Sequence, residues 1–96
     1  MIVTNEPGYY LEGDFGLRIE SHMVVIASHH PNFIAFETIS RLPIDPQLVD
    51  FGRLSPAERR WLADHHRTVL QDVEPLLDAP AGAWLGEIVQ AFVRAA

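Results

Sequence analysis

The stretch "TNEPGYYLEGDFGLRIES", residues 4–21, decides how this chain is read. Glycine and aspartate in "YYLEGDFG" mark a hairpin connection between two extended arms. "IVTN", residues 2–5, forms the first arm, because β-branched residues favour a strand and Pro7-Gly8 interrupts it. "GLRIE", residues 16–20, is the return arm. If paired residue numbers sum to 26, Tyr10 faces Gly16 and Glu6 lies across from Glu20. Cross-strand Cβ atoms lie only about 4.5–5.5 Å apart. Two carboxylates that close repel, unless one takes up a proton, a basic residue lies between them, or a cation binds both. Carboxylate oxygens suit Mn²⁺, Mg²⁺ or Zn²⁺. Arg18 joins them if the pleat is regular.

Working outward, "MVVIAS", residues 23–28, is apolar on both faces, as in a strand covered on both sides. His29-His30-Pro31-Asn32 reads as a turn rather than a metal site. "FIAFETISRL", residues 33–42, is a further strand closed by Pro43, and "QLVDF" a short extended piece. The second half is helical. "SPAE", Ser55 to Glu58, is a capping box with proline at the first helical position. Trp61, Leu62, His65, His66, Val69, Val73 and Leu76 then recur at helical spacing, up to Pro75. Asp78 and Pro80 open a second helix with the stripe Trp84, Leu85, Ile88, Val89, Phe92 and Val93. The sum is one α+β domain: antiparallel strands over about residues 2–49, then helices over about 56–74 and 79–94. Trp61 and Trp84 are expected as core or interface anchors. His65 and His66 point about 100° apart, so they form no i,i+4 ligand pair. One of them is expected in a helix–sheet interface, satisfied by a hydrogen bond.

Ninety-six residues suit one modest core. A net charge of −6 argues against nucleic acid as partner. The absence of cysteine excludes thiolate zinc sites and cysteine nucleophiles. No apolar run reaches the ~20 residues of a membrane span, and no secretion signal opens the chain, so a cytoplasmic setting is expected. Ser55 is a cap, with no elbow or triad order around it.

"VTNEPGYYLEGDFGLRIE" resembles the signature of the Xaa-Pro aminopeptidases, in the creatinase-like pita-bread metallopeptidases. The match runs through Asn5-Glu6-Pro7-Gly8-Tyr9-Tyr10, Gly13, Phe15-Gly16 and Arg18-Ile19-Glu20. "FIAFETISRLPIDPQLVD", "LSPAERRWLADHH" and "PLLD" look like the C-terminal tail of the longer, eukaryotic-type members. The resemblance implies that the chain is the C-terminal portion of a catalytic domain with the pita-bread fold. It implies a dinuclear site, Mn²⁺ first, with Zn²⁺ or Co²⁺ as alternatives. Glu6 and Glu20 would be the last two of five metal ligands, Glu20 bridging and Glu6 also moving a proton. Tyr10 and Arg18 would orient ligands and substrate, a peptide with proline second. Two aspartates and a histidine would come from an upstream portion, because Met1 stands where relatives carry an internal methionine. Glu12 and Asp14, in the connecting loop, are poor substitutes for them. The chain alone is then expected to be inactive. Family members often dimerise through this region, so a homodimer is expected. The alternative is a non-catalytic remnant that self-associates.

Overall fold

The computed structural model describes residues 1–96. They form two compact units, Met1–Ser40 and Arg41–Ala96.

The first unit is built on antiparallel strands. They are β1 (Ile2–Asn5), β2 (Gly8–Tyr10), β3 (Gly16–Arg18), β4 (Ser21–Ala27) and β5 (Ile34–Thr38). β1, β4 and β5 make a three-stranded sheet with β4 central, while β2 and β3 pair separately. One register runs through both pairings of the hairpin. Ile2 faces Val24, Asn5 faces Ser21, Gly8 faces Arg18 and Tyr10 faces Gly16, so every pair sums to 26. The ladder is thinnest at Pro7, which has no N–H to give and only accepts from Ile19 N at 3.1 Å. The hairpin closes over a turn in which Asp14 N donates to Leu11 O and Gly13 takes φ 72°. That left-handed value at the third turn position is what glycine is there to supply. The other turn holds Asn32 at φ 68°, a conformation asparagine tolerates better than most residues.

None of residues 1–40 is buried. β4 was expected to be covered on both faces, yet Met23, Val24 and Val25 are only half-buried and Ile26 is 39 % exposed. The strand has the composition of a doubly covered element without two covering layers.

The second unit holds the buried core. Ser55 Oγ accepts from Glu58 N at 3.3 Å, and Glu58 Oε2 accepts from Ser55 N at 2.8 Å. This capping box opens α1 (Pro56–Val73), as the sequence indicates. A 3₁₀ turn at Glu74–Leu76 ends it, and Asp78, accepting from Ala81 N, opens α2 (Ala79–Ala95). The helices pack through Val69, Leu85 and Val89, with Leu70, Val73 and Val93 around them. "QLVDF" is not extended throughout. Pro46–Leu48 and Phe51–Arg53 are 3₁₀ turns. The cause is local, since Asp45 and Asp50 accept from Gln47 N and Gly52 N and bend the backbone over themselves. The strand region accordingly stops at Thr38.

Trp61 and Trp84 are not core residues: they are 59 % and 58 % exposed. Both sit at the margins of their stripes, and Trp61 stacks on His65 with centroids 5.8 Å apart. Leu76 leaves the stripe because the 3₁₀ turn rotates it away, and it is 82 % exposed. His66 is the satisfied histidine, but its surroundings lie within the helical unit rather than at a helix–sheet interface. It is fully buried, accepts from Ile44 N at Nε2 and stacks on Phe92 with centroids 3.7 Å apart.

Candidate metal and catalytic face

The hairpin register positions the candidate residues. Leu11 N donates to Phe15 O, Ile19 N to Pro7 O and Val25 N to Met1 O, so the odd-numbered rows of the first arm carry the ladder bonds. The rows between them are the closely spaced, non-hydrogen-bonded ones, with Cα atoms about 4.5 Å apart. Glu6 and Glu20 occupy such a row by register, as do Gly8 with Arg18 and Tyr10 with Gly16. Side chains two residues apart on a strand share a face. Tyr10 and Arg18 meet on one face, and the same register parity continues to Glu6 and Glu20, which flank the break between the two ladders and both act on the Arg18 charge. Thr4 and His22 form the next row of that face.

Glycines make room for the tyrosine. A Cβ on Gly8 would lie 2.7 Å from Tyr10 Oη, and one on Gly16 would lie 2.7 Å from Tyr10 Cδ1. The ring thus lies across both glycines, where no other residue fits without displacing it. Its hydroxyl accepts a hydrogen bond from Arg18 Nε at 2.8 Å. The guanidinium carbon is 5.8 Å from the ring centroid, a cation–π approach. That hydrogen bond and the electrostatic pull of Tyr10, and then of Glu6 and Glu20, push the Arg18 guanidinium above its ordinary value. Of the three ways to relieve two facing carboxylates, the chain itself supplies the basic neighbour.

His29 and His30 lie in a turn held by His30 N to Ser28 Oγ at 3.1 Å and Phe33 N to His30 O at 3.3 Å. Glu12 is in the turn at the tip of the hairpin, with Asp14 closing it. No three His, Cys, Asp or Glu side chains converge to hold an ion. The face thus offers a pair of hard oxygen donors, which suits part of a divalent-metal site and not the whole of one.

One residue of the face was given no role by the sequence reading. His22 follows Glu20 by two positions, so strand alternation alone puts both on one side. Its Nε2 is 3.9 Å from Glu20 Oε1.

Comparison with known proteins agrees with the signature. The family model for the C-terminal region of peptidase M24 matches residues 32–92. The chain is 40 % identical over 93 residues to a probable Xaa-Pro aminopeptidase P of Coprinopsis cinerea, covering 88 % of this chain and 15 % of that protein. It is 40 % identical over 84 residues to aminopeptidase P2 of Arabidopsis thaliana, covering 81 % of this chain and 12 % of that one. Among solved structures, X-prolyl aminopeptidase from Caenorhabditis elegans, described as a cytosolic enzyme with a di-nuclear active site, matches with a TM-score of 0.74. The identity is 26 %, and the match covers 98 % of this chain and 16 % of the worm chain. The chain thus spans about 15 % of the length of the relatives it matches. With the antiparallel strands and the two-helix tail following those of an X-prolyl aminopeptidase, and with residues 32–92 matching the family model, the chain belongs to the family of the C-terminal region of peptidase M24.

Proposed function

We propose that this chain is one partial domain, the C-terminal portion of a catalytic domain, and contributes part of a dinuclear metallopeptidase site. The reaction is hydrolysis of the bond between an N-terminal residue and proline. The observation that carries this reading is the hydrogen bond from Arg18 to Tyr10 on a face whose register continues to Glu6 and Glu20, both of which act on the Arg18 charge. Glu6 and Glu20 would hold part of the metal site, supplying carboxylate oxygens to the ions. Mn²⁺ is the first choice, and Zn²⁺ and Co²⁺ have compatible chemistry. When bound, two such ions supply a water of lowered pKa and polarise the scissile carbonyl. Glu6 would also take the proton given up by the attacking water and deliver it to the departing proline nitrogen. Arg18, held by Tyr10, keeps a fixed positive charge beside both carboxylates and orients the substrate end of the site. Two aspartates and a histidine from an upstream portion complete the ligand set. The 96 residues alone are inactive, because two carboxylates cannot fill two coordination shells. A cytoplasmic setting is consistent with the worm relative.

The test pairs a Mn²⁺ titration by calorimetry with Xaa-Pro peptide hydrolysis, first on the chain and then on the chain reassembled with an upstream portion. Weak binding and no turnover alone, with both gained on reassembly, is the expected result. Tight binding with turnover by the chain alone would overturn the deficit. In the reassembled enzyme, Glu20→Gln is expected to lower metal stoichiometry and activity together. Intact stoichiometry and activity in that variant would remove the ligand role.

A second reading is favoured by exposed apolar surface. Tyr9, Phe15, Leu17, Ile19, Ile34 and Phe36 are each between 47 % and 63 % exposed on the first unit. Exposed apolar surface on this scale favours an interaction site. Under this reading the chain self-associates, as a homodimer or larger. Sedimentation velocity distinguishes it: a monomer at all concentrations would exclude it.

A further inference from the structure

We infer that His22 is a positioning residue for the Glu20 carboxylate, held in its orientation by Ser40; this rests on the reading of Glu20 as a metal ligand. Ser40 Oγ accepts a hydrogen bond from the His22 backbone N–H at 2.8 Å. Its hydroxyl proton is then free to be donated, and His22 Nδ1 lies 3.4 Å away. The pairing of Ile39 N with His22 O at 2.9 Å keeps Ser40 beside this strand. The opposite tautomer, with the proton on Nδ1, would aim a lone pair at a carboxylate. Both contacts of the ring are met with Nδ1 accepting from Ser40 and Nε2 carrying hydrogen toward Glu20. That N–H faces Glu20 Oε1 at 3.9 Å, beyond a direct hydrogen bond and within reach of one after a small rotamer adjustment or through one water.

The consequence concerns how Glu20 meets a cation. A carboxylate that bridges two ions must present both oxygens in a fixed plane. A donor on one oxygen restricts rotation about its last side-chain bond, the service outer-shell groups give to ligating carboxylates. Arg18, two residues before Glu20, puts a positive charge near that carboxylate, and His22, two residues after it, brings an N–H to its other flank. Ser40, Ile39 and His22 tie this contact to β5, whereas Glu6 and Arg18 belong to the hairpin.

The experiment uses the full chain, isotope-labelled, as wild type and as His22→Ala, His22→Gln, Ser40→Ala and Glu20→Gln. Two signals are read: the Cδ resonance of Glu20, and paramagnetic broadening by added Mn²⁺, which registers weak binding. His22→Ala is expected to shift Glu20 Cδ and to weaken Mn²⁺ binding about tenfold. His22→Gln, which keeps a side-chain N–H, is expected to restore most of both, an outcome a merely structural role would not give. Ser40→Ala is expected to fall between. An unmoved Glu20 Cδ in His22→Ala overturns the inference, whatever Mn²⁺ does. Broadening lost in Glu20→Gln but unchanged in His22→Ala also overturns it and leaves the ligand reading standing. Broadening that survives Glu20→Gln removes the ligand reading instead, while the Cδ shift still decides the contact.

Discussion

His66 is fully buried, yet both ring nitrogens have partners. Nδ1 donates to Leu62 O at 2.7 Å and Nε2 accepts from Ile44 N at 3.0 Å, which fixes a neutral ring. Protonation would set two N–H groups against each other at Nε2. Burial, opposed by the hydrogen bond to Leu62, pulls its pKa below the ordinary value. The unfolded chain therefore binds this proton first. Stability is full above about pH 6.5, the unfolded value, and falls as pH drops through the folded one, by at most ~1.4 kcal/mol per pH unit. Urea midpoints between pH 8 and 5 measure this, and His66→Gln is expected to flatten the slope. His66→Ala, which opens a cavity beside Phe92 and leaves Ile44 N without an acceptor, is expected to cost about 3 kcal/mol. At the candidate site, Gly16→Ala is the sharper probe. A methyl there would meet the Tyr10 ring at 2.7 Å, so the ring must leave and Arg18 must lose its acceptor. Faster exchange of the Arg18 Nε–H signal is expected, and an unchanged signal would mean the ring never lay across that glycine. Sequence showed these residues unequally. The register of the hairpin arms followed from glycine placement and strand alternation. The roles of Gly8 and Gly16 as space for Tyr10 did not, because spacing does not say where an aromatic ring lies.

At the scale of elements, local chemistry fixed what was legible. The Ser55–Glu58 capping box and Pro56 set the start of α1 in sequence and in structure alike. Ser55→Ala removes the acceptor for Glu58 N and is expected to cost about 1 kcal/mol, read as a lower midpoint in thermal melts followed by circular dichroism. The hydrogen bonds from Ser55 hold the Glu58 carboxyl below its usual range. This support is present above the unfolded pKa and lost as pH falls through the folded one, so α1 is weaker in acid. The hairpin register was equally legible, since a five-residue connection with Gly13 at its turn leaves few ways to align the arms. "QLVDF" was not. Its apolar alternation resembles a strand, but Asp45 and Asp50 each capture an N–H two residues on, and that local bond prevails where no neighbouring strand competes. Trp61 and Trp84 misled for a related reason: helical periodicity assigns a face but not its margins, and a large ring at the margin stays in solvent.

For the whole molecule, the decisive asymmetry is where apolar surface goes. Every buried residue, from Ala63 to Phe92, belongs to the unit Arg41–Ala96, and none to Met1–Ser40. Burial of apolar area is the main source of folding free energy, at roughly 25 cal/mol per Å². The helical unit therefore carries most of the stability of the chain. The strand unit has backbone ladders and aromatic contacts such as Tyr9 with Phe15, but no core beneath them. Two- and three-stranded assemblies without a buried face are marginal in water. Two consequences can be measured together by hydrogen exchange. Amides of α1 and α2 are expected to be protected up to the global unfolding free energy, while those of β1, β4 and β5 exchange through local opening orders of magnitude faster. A fragment of residues 41–96 is expected to keep a cooperative melt with a midpoint within a few degrees of the full chain. Equal protection in both units would mean that the strands draw stability from burial this fold does not display. If the strand unit is instead completed by an upstream portion, reassembly is expected to slow exchange in β4 most. That strand is central, and its sequence "MVVIA" is composed for cover on both faces. Protection gained in β4 on such reassembly, with β1 and β5 less affected, would show that this central strand is made to be covered.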